Sequence, residues 1–256
     1  MTIRRYGCHP DLKDQRDYRF ARATAPIATP DVVDLRPQMP SVYDQGSLGS
    51  CTANASGAAF EFDLIKQKLQ SWIPSRLAIY YDERVIEGTV KSDSGAQIRD
   101  AVRVLATKGV GPETLWPYVP SKFTTPPPAT YIKVASSDKA LQYARVEQTQ
   151  TAIEECLFKG FPIIFGFTVY ASFESEAVAK TGIVPMPAPT EECLGGHAVL
   201  AVGYERSKRM IIVRNSWSPQ WGDKGYFYMP YAYMLNANLT NDLWALYSVE
   251  ENGKPA

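Results

Sequence analysis

The chain has 256 residues, 45% hydrophobic and 21% charged, with 27 Lys+Arg against 27 Asp+Glu. That length makes one large domain or two tightly packed ones, able to bury a sizeable core. Zero net charge removes the electrostatic argument for a nucleic-acid or anionic-membrane partner, and no run of 18 or more apolar residues could span a bilayer. Four cysteines without a C-x-x-C pair, and only two histidines (His9 and His197), are too few for a disulfide scaffold and give no structural metal site. No metal, cofactor, nucleic acid or membrane is therefore expected, and the chain is read as a monomer.

In chain order, residues 1–33 are rich in Arg, Asp, Pro and Thr and read as an extended arm. The first twenty (MTIRRYGCHPDLKDQRDYRF) have no apolar stretch behind Arg4-Arg5, so no secretory signal is visible. The expected location is the cytoplasm, or outside the cell by a route without such a signal. Residues 51–70 place Ala55, Ala58, Phe62, Ile65 and Leu69 at helical spacing. Ser75 is a candidate cap for a second helix, and a third sets Ile98, Ala101, Val102 and Leu105 on one face before Gly109. Residues 119–130 (VPSKFTTPPPAT) form a Pro/Thr-rich connector, and Thr149 or Thr151 starts a short helix ending at Gly160. The second half changes character. Residues 161–169, 197–204, 209–214, 225–229 and 243–249 are short β-branched and aromatic runs separated by turn signals. A helical half followed by a stranded half predicts an α+β fold.

Three stretches could carry chemistry. In Asp44-Gln45-Gly46-Ser47-Leu48-Gly49-Ser50-Cys51, a glycine-rich loop runs into a helix that begins with a cysteine. A helix N-terminus favours a thiolate, and glycines let backbone approach a bound substrate. Taken alone, such a cysteine also fits a small core residue. His197 opens an apolar strand after Gly195-Gly196, as a turn histidine or as a base. Asn215, in Arg214-Asn215-Ser216-Trp217, stands at a strand end, where an amide can orient an imidazole or simply make a turn.

Together these stretches resemble the papain family of cysteine peptidases. Q-G-S-x-G-S-C at 45–51, G-H-A-V-x-x-V-G-Y at 196–204 and N-S-W-x-x-x-W-G-x-x-G-Y at 215–226 follow the family's order, and VDLR at 33–36 resembles the start of its mature enzymes. The resemblance implies a helical left and a β-rich right subdomain with a cleft between them. It divides the chain into an arm (1–33) and a catalytic domain (34–256), made of a helical half (34–118), a connector (119–145) and a stranded half (146–256). It implies a thiol peptidase acting on a peptide or protein substrate. Cys51 would be the nucleophile, paired as thiolate with His197. Asn215 would orient the ring, Trp217 would shield that bond, and Gln45 with the Cys51 amide would hold the oxyanion. Ser94 and Gly95 would bind substrate backbone. Gly166, Gly195, Gly196 and the 247–249 segment, Val249 included, would line an apolar pocket. A transpeptidase or amidase using the same centre, and a catalytically silent binding domain, are the alternatives. The chain departs from the family in Leu48, where a disulfide cysteine is usual, in Thr52 instead of tryptophan after the nucleophile, and in Trp244 near a second disulfide position. The arm is too short for the usual helical pro-domain, yet its Tyr6, Tyr18 and Phe20 are suited to anchoring. It is expected to pack along the body and pass near or over the cleft.

Overall fold

In the computed structural model, residues 5–12, 14–20, 27–251 and 253–255 are described; residues 1–4, 13 and 21–26 of the expected arm lie outside them. Two short strands come first, Cys8–His9 (β1) and Val32–Asp34 (β2). The Ala-rich segment then forms a helix, Cys51–Lys66 (α1), in which every residue from Cys51 to Leu64 is buried. Small side chains all round allow neighbours to close on every face, which is what a central helix requires. The helix stops four residues short of the predicted Gln70. Lys68 turns left-handed at φ 59°, and Leu69 folds back so that its N–H meets the Leu64 carbonyl at 2.9 Å.

Ser75 caps Arg76–Glu87 (α2), its hydroxyl accepting from the Ala78 N–H, and Gly88 at φ 71° ends it. A two-residue strand, Ala96–Gln97 (β3), leads into Ile98–Thr107 (α3), whose predicted apolar face is buried and which closes before Gly109 at φ 79°. The connector is more structured than its composition suggests. Pro128 occupies the cap of Ala129–Ala135 (α4), where a missing N–H costs nothing, and Ala140–Arg145 (β4) follows.

Thr149 caps Gln150–Phe158 (α5). Ile163–Tyr170 (β5), Glu176–Thr181 (α6), Cys193–Glu205 (β6), Met210–Arg214 (β7), Tyr226–Pro230 (β8), Tyr231–Met234 (α7), Thr240–Glu251 (β9) and Lys254–Pro255 (β10) complete the chain. The main sheet runs β10-β9-β5-β6-β7-β8, with β2 added to β6 and β4 to β9, all antiparallel. This is the α+β architecture with a helical and a sheet half. Between them lies α1, packed on β6 and β9 on one side and on α2 and α3 on the other. Its first residue therefore opens at the seam.

Candidate active site

Cys51 is the first residue of α1, with Ser50 at the cap position. The N–H groups of a helix's first turn have no acceptor within the helix, so its positive end faces this sulfur. The nearby backbone N–H groups of Ala198, Gly7 and Thr52 favour the charged form of this sulfur. Cys51 is fully buried, and burial pushes its thiol up to about 11, with those three N–H groups pulling the other way.

Ala198 follows His197 on β6, so the amide touching the sulfur comes from the histidine's own strand. His197 Nε2 lies 2.9 Å from Asn215 Oδ1, just past the end of β7. The same Oδ1 accepts the Ser216 N–H at 2.8 Å, which fixes the amide orientation and makes Nε2 the protonated nitrogen. Nδ1 lies on the opposite edge of the ring. Trp217 stacks over the imidazole at 4.9 Å and 26°, and is itself braced by Phe173 and Trp221.

Gln45 is buried beside this pair. Its N–H donates to Ser216 O at 2.9 Å, its Oε1 accepts from Ser216 Oγ at 2.6 Å, and Asp44 bridges to Trp217. The side-chain Nε2 donates one hydrogen to Leu48 O at 3.0 Å. A primary amide has two such hydrogens, so Nε2 can donate a second. The Gln45 loop, Cys51, His197, Asn215 and Trp217 thus form one stitched unit.

The remaining residues of the expected site meet the arm. Arg5 to His9 cross the cleft, with β1 parallel to β3 and the Ala96 N–H donating to Gly7 O at 2.7 Å. A β-carbon at Gly95 would stand 2.1 Å from Gly7 O, one at Gly196 2.2 Å from Cys8 O, and one at Gly166 3.0 Å from Cys8 Sγ. Gly195 lies under Tyr6, and the carbonyl of Ser94 meets His9 Nε2. Tyr6 points its ring at both His197 (6.2 Å) and Trp217 (6.3 Å) and hydrogen-bonds Glu174 through its hydroxyl.

Val249 does not join them. It pairs with Ala140 and exchanges backbone hydrogen bonds with the Gln67 side chain, past the far end of α1 and so about 24 Å along the helix from Cys51. The β9 residue beside Gly166 is instead Asn241, whose Oδ1 would stand 2.8 Å from a β-carbon there. Trp244, at the position of a family disulfide, donates its Nε1–H to Asp11 Oδ2 at 2.9 Å and so ties the arm down. All four cysteines are free thiols.

A cysteine at a central helix's first turn, with a histidine–asparagine pair on the adjoining sheet, is the arrangement expected of a two-subdomain cysteine peptidase. Residues 29–244 match the model of the papain family cysteine proteases, and the chain belongs to that family. The crystal structure of xylellain, a cysteine protease from Xylella fastidiosa, is 42% identical with a TM-score of 0.90, over 94% of this chain and 95% of that one. The uncharacterized peptidase C1-like protein L477 of Acanthamoeba polyphaga mimivirus is 42% identical over 255 residues, 94% of this chain and 82% of that one. Cathepsin K of Gallus gallus is 28% identical over 205 residues, 77% of this chain and 58% of that one.

Proposed function

We propose that this papain-family peptidase cuts its substrate through Cys51, His197 and Asn215 by way of a thioester, and that residues 5–9 of its own arm keep the centre closed. The observation carrying both halves is the environment of the Cys51 sulfur, which meets Ala198 of the histidine's strand on one side and Gly7 of the arm on the other. With the arm displaced, His197 Nδ1 takes the thiol proton and the thiolate attacks a peptide carbonyl. The oxyanion is held by the Cys51 N–H and the second Nε2 hydrogen of Gln45. His197 then protonates the leaving amine and afterwards activates the water that hydrolyses the thioester. The complete set of Gln45, Cys51, His197 and Asn215 argues against a silent domain.

Hydrolysis of a fluorogenic dipeptide amide tests the catalytic half. Cys51→Ala is expected to abolish turnover and His197→Ala to cost several orders of magnitude, while the exposed Cys193→Ser stays active. An epoxide-type thiol inhibitor should label Cys51. Wild-type turnover in Cys51→Ala would sink the reading.

A further inference from the structure

Thr52, which stands where the family usually has tryptophan, is fully buried, and its Oγ1 donates to Glu83 Oε2 at 2.8 Å. Glu83 lies on α2 and is itself fully buried. Its second oxygen, Oε1, has no hydrogen-bond partner among the described residues. Among the described residues no side-chain cation lies within ion-pair distance of it. The adjacent Arg84 directs its guanidinium at the carbonyls of Tyr80, Val90, Ser92 and Phe123. The other charged neighbours are acidic, Glu87 one turn on along α2 and Asp100 on α3. From α1 and the arm, Cys51 and Cys8 are the titratable groups within its electrostatic reach. Burial first, and then Glu87 and Asp100, push the Glu83 carboxyl well above the usual carboxylate range, against the Thr52 hydrogen bond and Arg84.

We infer that Glu83 is a positioning residue for the nucleophile, acting through Thr52 on the first turn of α1. Thr52 is tied at three points: its N–H reaches the Cys51 sulfur, its hydroxyl meets Glu83, and its carbonyl accepts from Ser56 Oγ at 2.8 Å. Locking the hydroxyl fixes the rotation of the turn that aims N–H groups at the sulfur and at the oxyanion. The inference rests on Cys51 being the nucleophile.

Full-length Thr52→Val, close in shape but without the hydroxyl, should lower kcat roughly tenfold with KM little changed, as expected when a reacting group loses its alignment. It should also shift the pH dependence of Cys51 alkylation by iodoacetamide. Glu83→Ala should behave alike, Glu83→Gln, which keeps an acceptor, should recover most of that loss, and the Thr52→Val/Glu83→Ala double variant should be no slower than either single one. A folded Thr52→Val with wild-type kcat and alkylation profile overturns the inference, as does a double variant whose losses multiply. If Glu83→Ala does not fold, Thr52→Val and Glu83→Gln decide the matter. Turnover in Cys51→Ala would remove the catalytic reading itself; an inactive Cys51→Ala beside an unaffected Thr52→Val removes only the role of Glu83.

Discussion

Gln45 shows how much one side chain's hydrogen bonds constrain its role. Its carbonyl oxygen is held by Ser216 and one amide hydrogen by Leu48, so rotation is blocked and the remaining hydrogen has a fixed direction. Gln45→Ala should therefore reduce kcat by about 10²–10³ and leave KM near its original value, measured on the peptide amide. Equal loss in both parameters would point to a substrate-binding role instead. That Gln45, Cys51, His197 and Asn215 gather at one seam was legible in the sequence because each sits in a short motif that also dictates its own backbone. Val249 was misplaced for the opposite reason. Which β9 residue reaches the pocket depends on strand register, and β9 carries shifts against both β5 and β4. A one-residue slip turns a side chain to the other face, and local pattern does not contain that information.

Among the elements, those with their own periodicity or caps were readable: α1, α2, α3, α5 and the central strands. α4 and β4 were hidden by the prolines before them, although Pro128 begins a helix here rather than ending one. β1 and β3 have two residues each and exist only because they pair with one another. Their closeness depends on glycine. A β-carbon at Gly7 would stand 2.0 Å from Gly49 O, backbone against backbone, with no flexible side chain to give way. Gly7→Ala should thus expel the arm while leaving the catalytic residues untouched. The expected result is faster epoxide labelling of Cys51 and higher kcat/KM for a small peptide. Unchanged labelling of a folded variant would mean that the arm does not limit access.

At the scale of the molecule, the arm is held by charge beyond the cleft. Arg145 bridges Asp11 (2.7 Å), Asp242 (3.0 Å) and Asp17, while Arg99 bonds Asp17 and the Leu12 carbonyl. Phe20 stacks on Tyr247, and the 18–20 segment hydrogen-bonds the Arg145 backbone on β4. Burial, and then the neighbouring Asp242, push Asp11 up to about 6, against hydrogen bonds from the Arg99 N–H and Trp244 and the charge of Arg145. The sign of the consequence is definite. A carboxyl whose value is raised on docking binds its proton more tightly in the docked state, so its contribution is present at low pH and fades as pH climbs from about 4 through about 6. Asp11 therefore makes docking firmer in mild acid. Amide hydrogen exchange at residues 6–9, corrected for the intrinsic pH dependence of exchange, should show greater protection at pH 5 than at pH 7.5, and Asp11→Asn should flatten the difference. Protection that falls on acidification would contradict this.

The strand β2, paired with β6 through Val32–Asp34, gives the arm a second and permanent root in the body. If the arm closes the centre as proposed, the cleft segment is an inhibitor that stays tethered even when displaced. Joined by a short chain, such a ligand stays at an effective concentration in the millimolar range however dilute the protein becomes. An outside substrate must outcompete that local concentration, which appears as a raised KM rather than a lowered kcat. Specific activity of the intact chain should accordingly be the same at nanomolar and micromolar enzyme. A nick between residues 10 and 20 should change this, because the freed peptide would then obey mass action and activity per molecule would rise on dilution. Intact protein that gains activity on dilution would show that the closing segment comes from another copy.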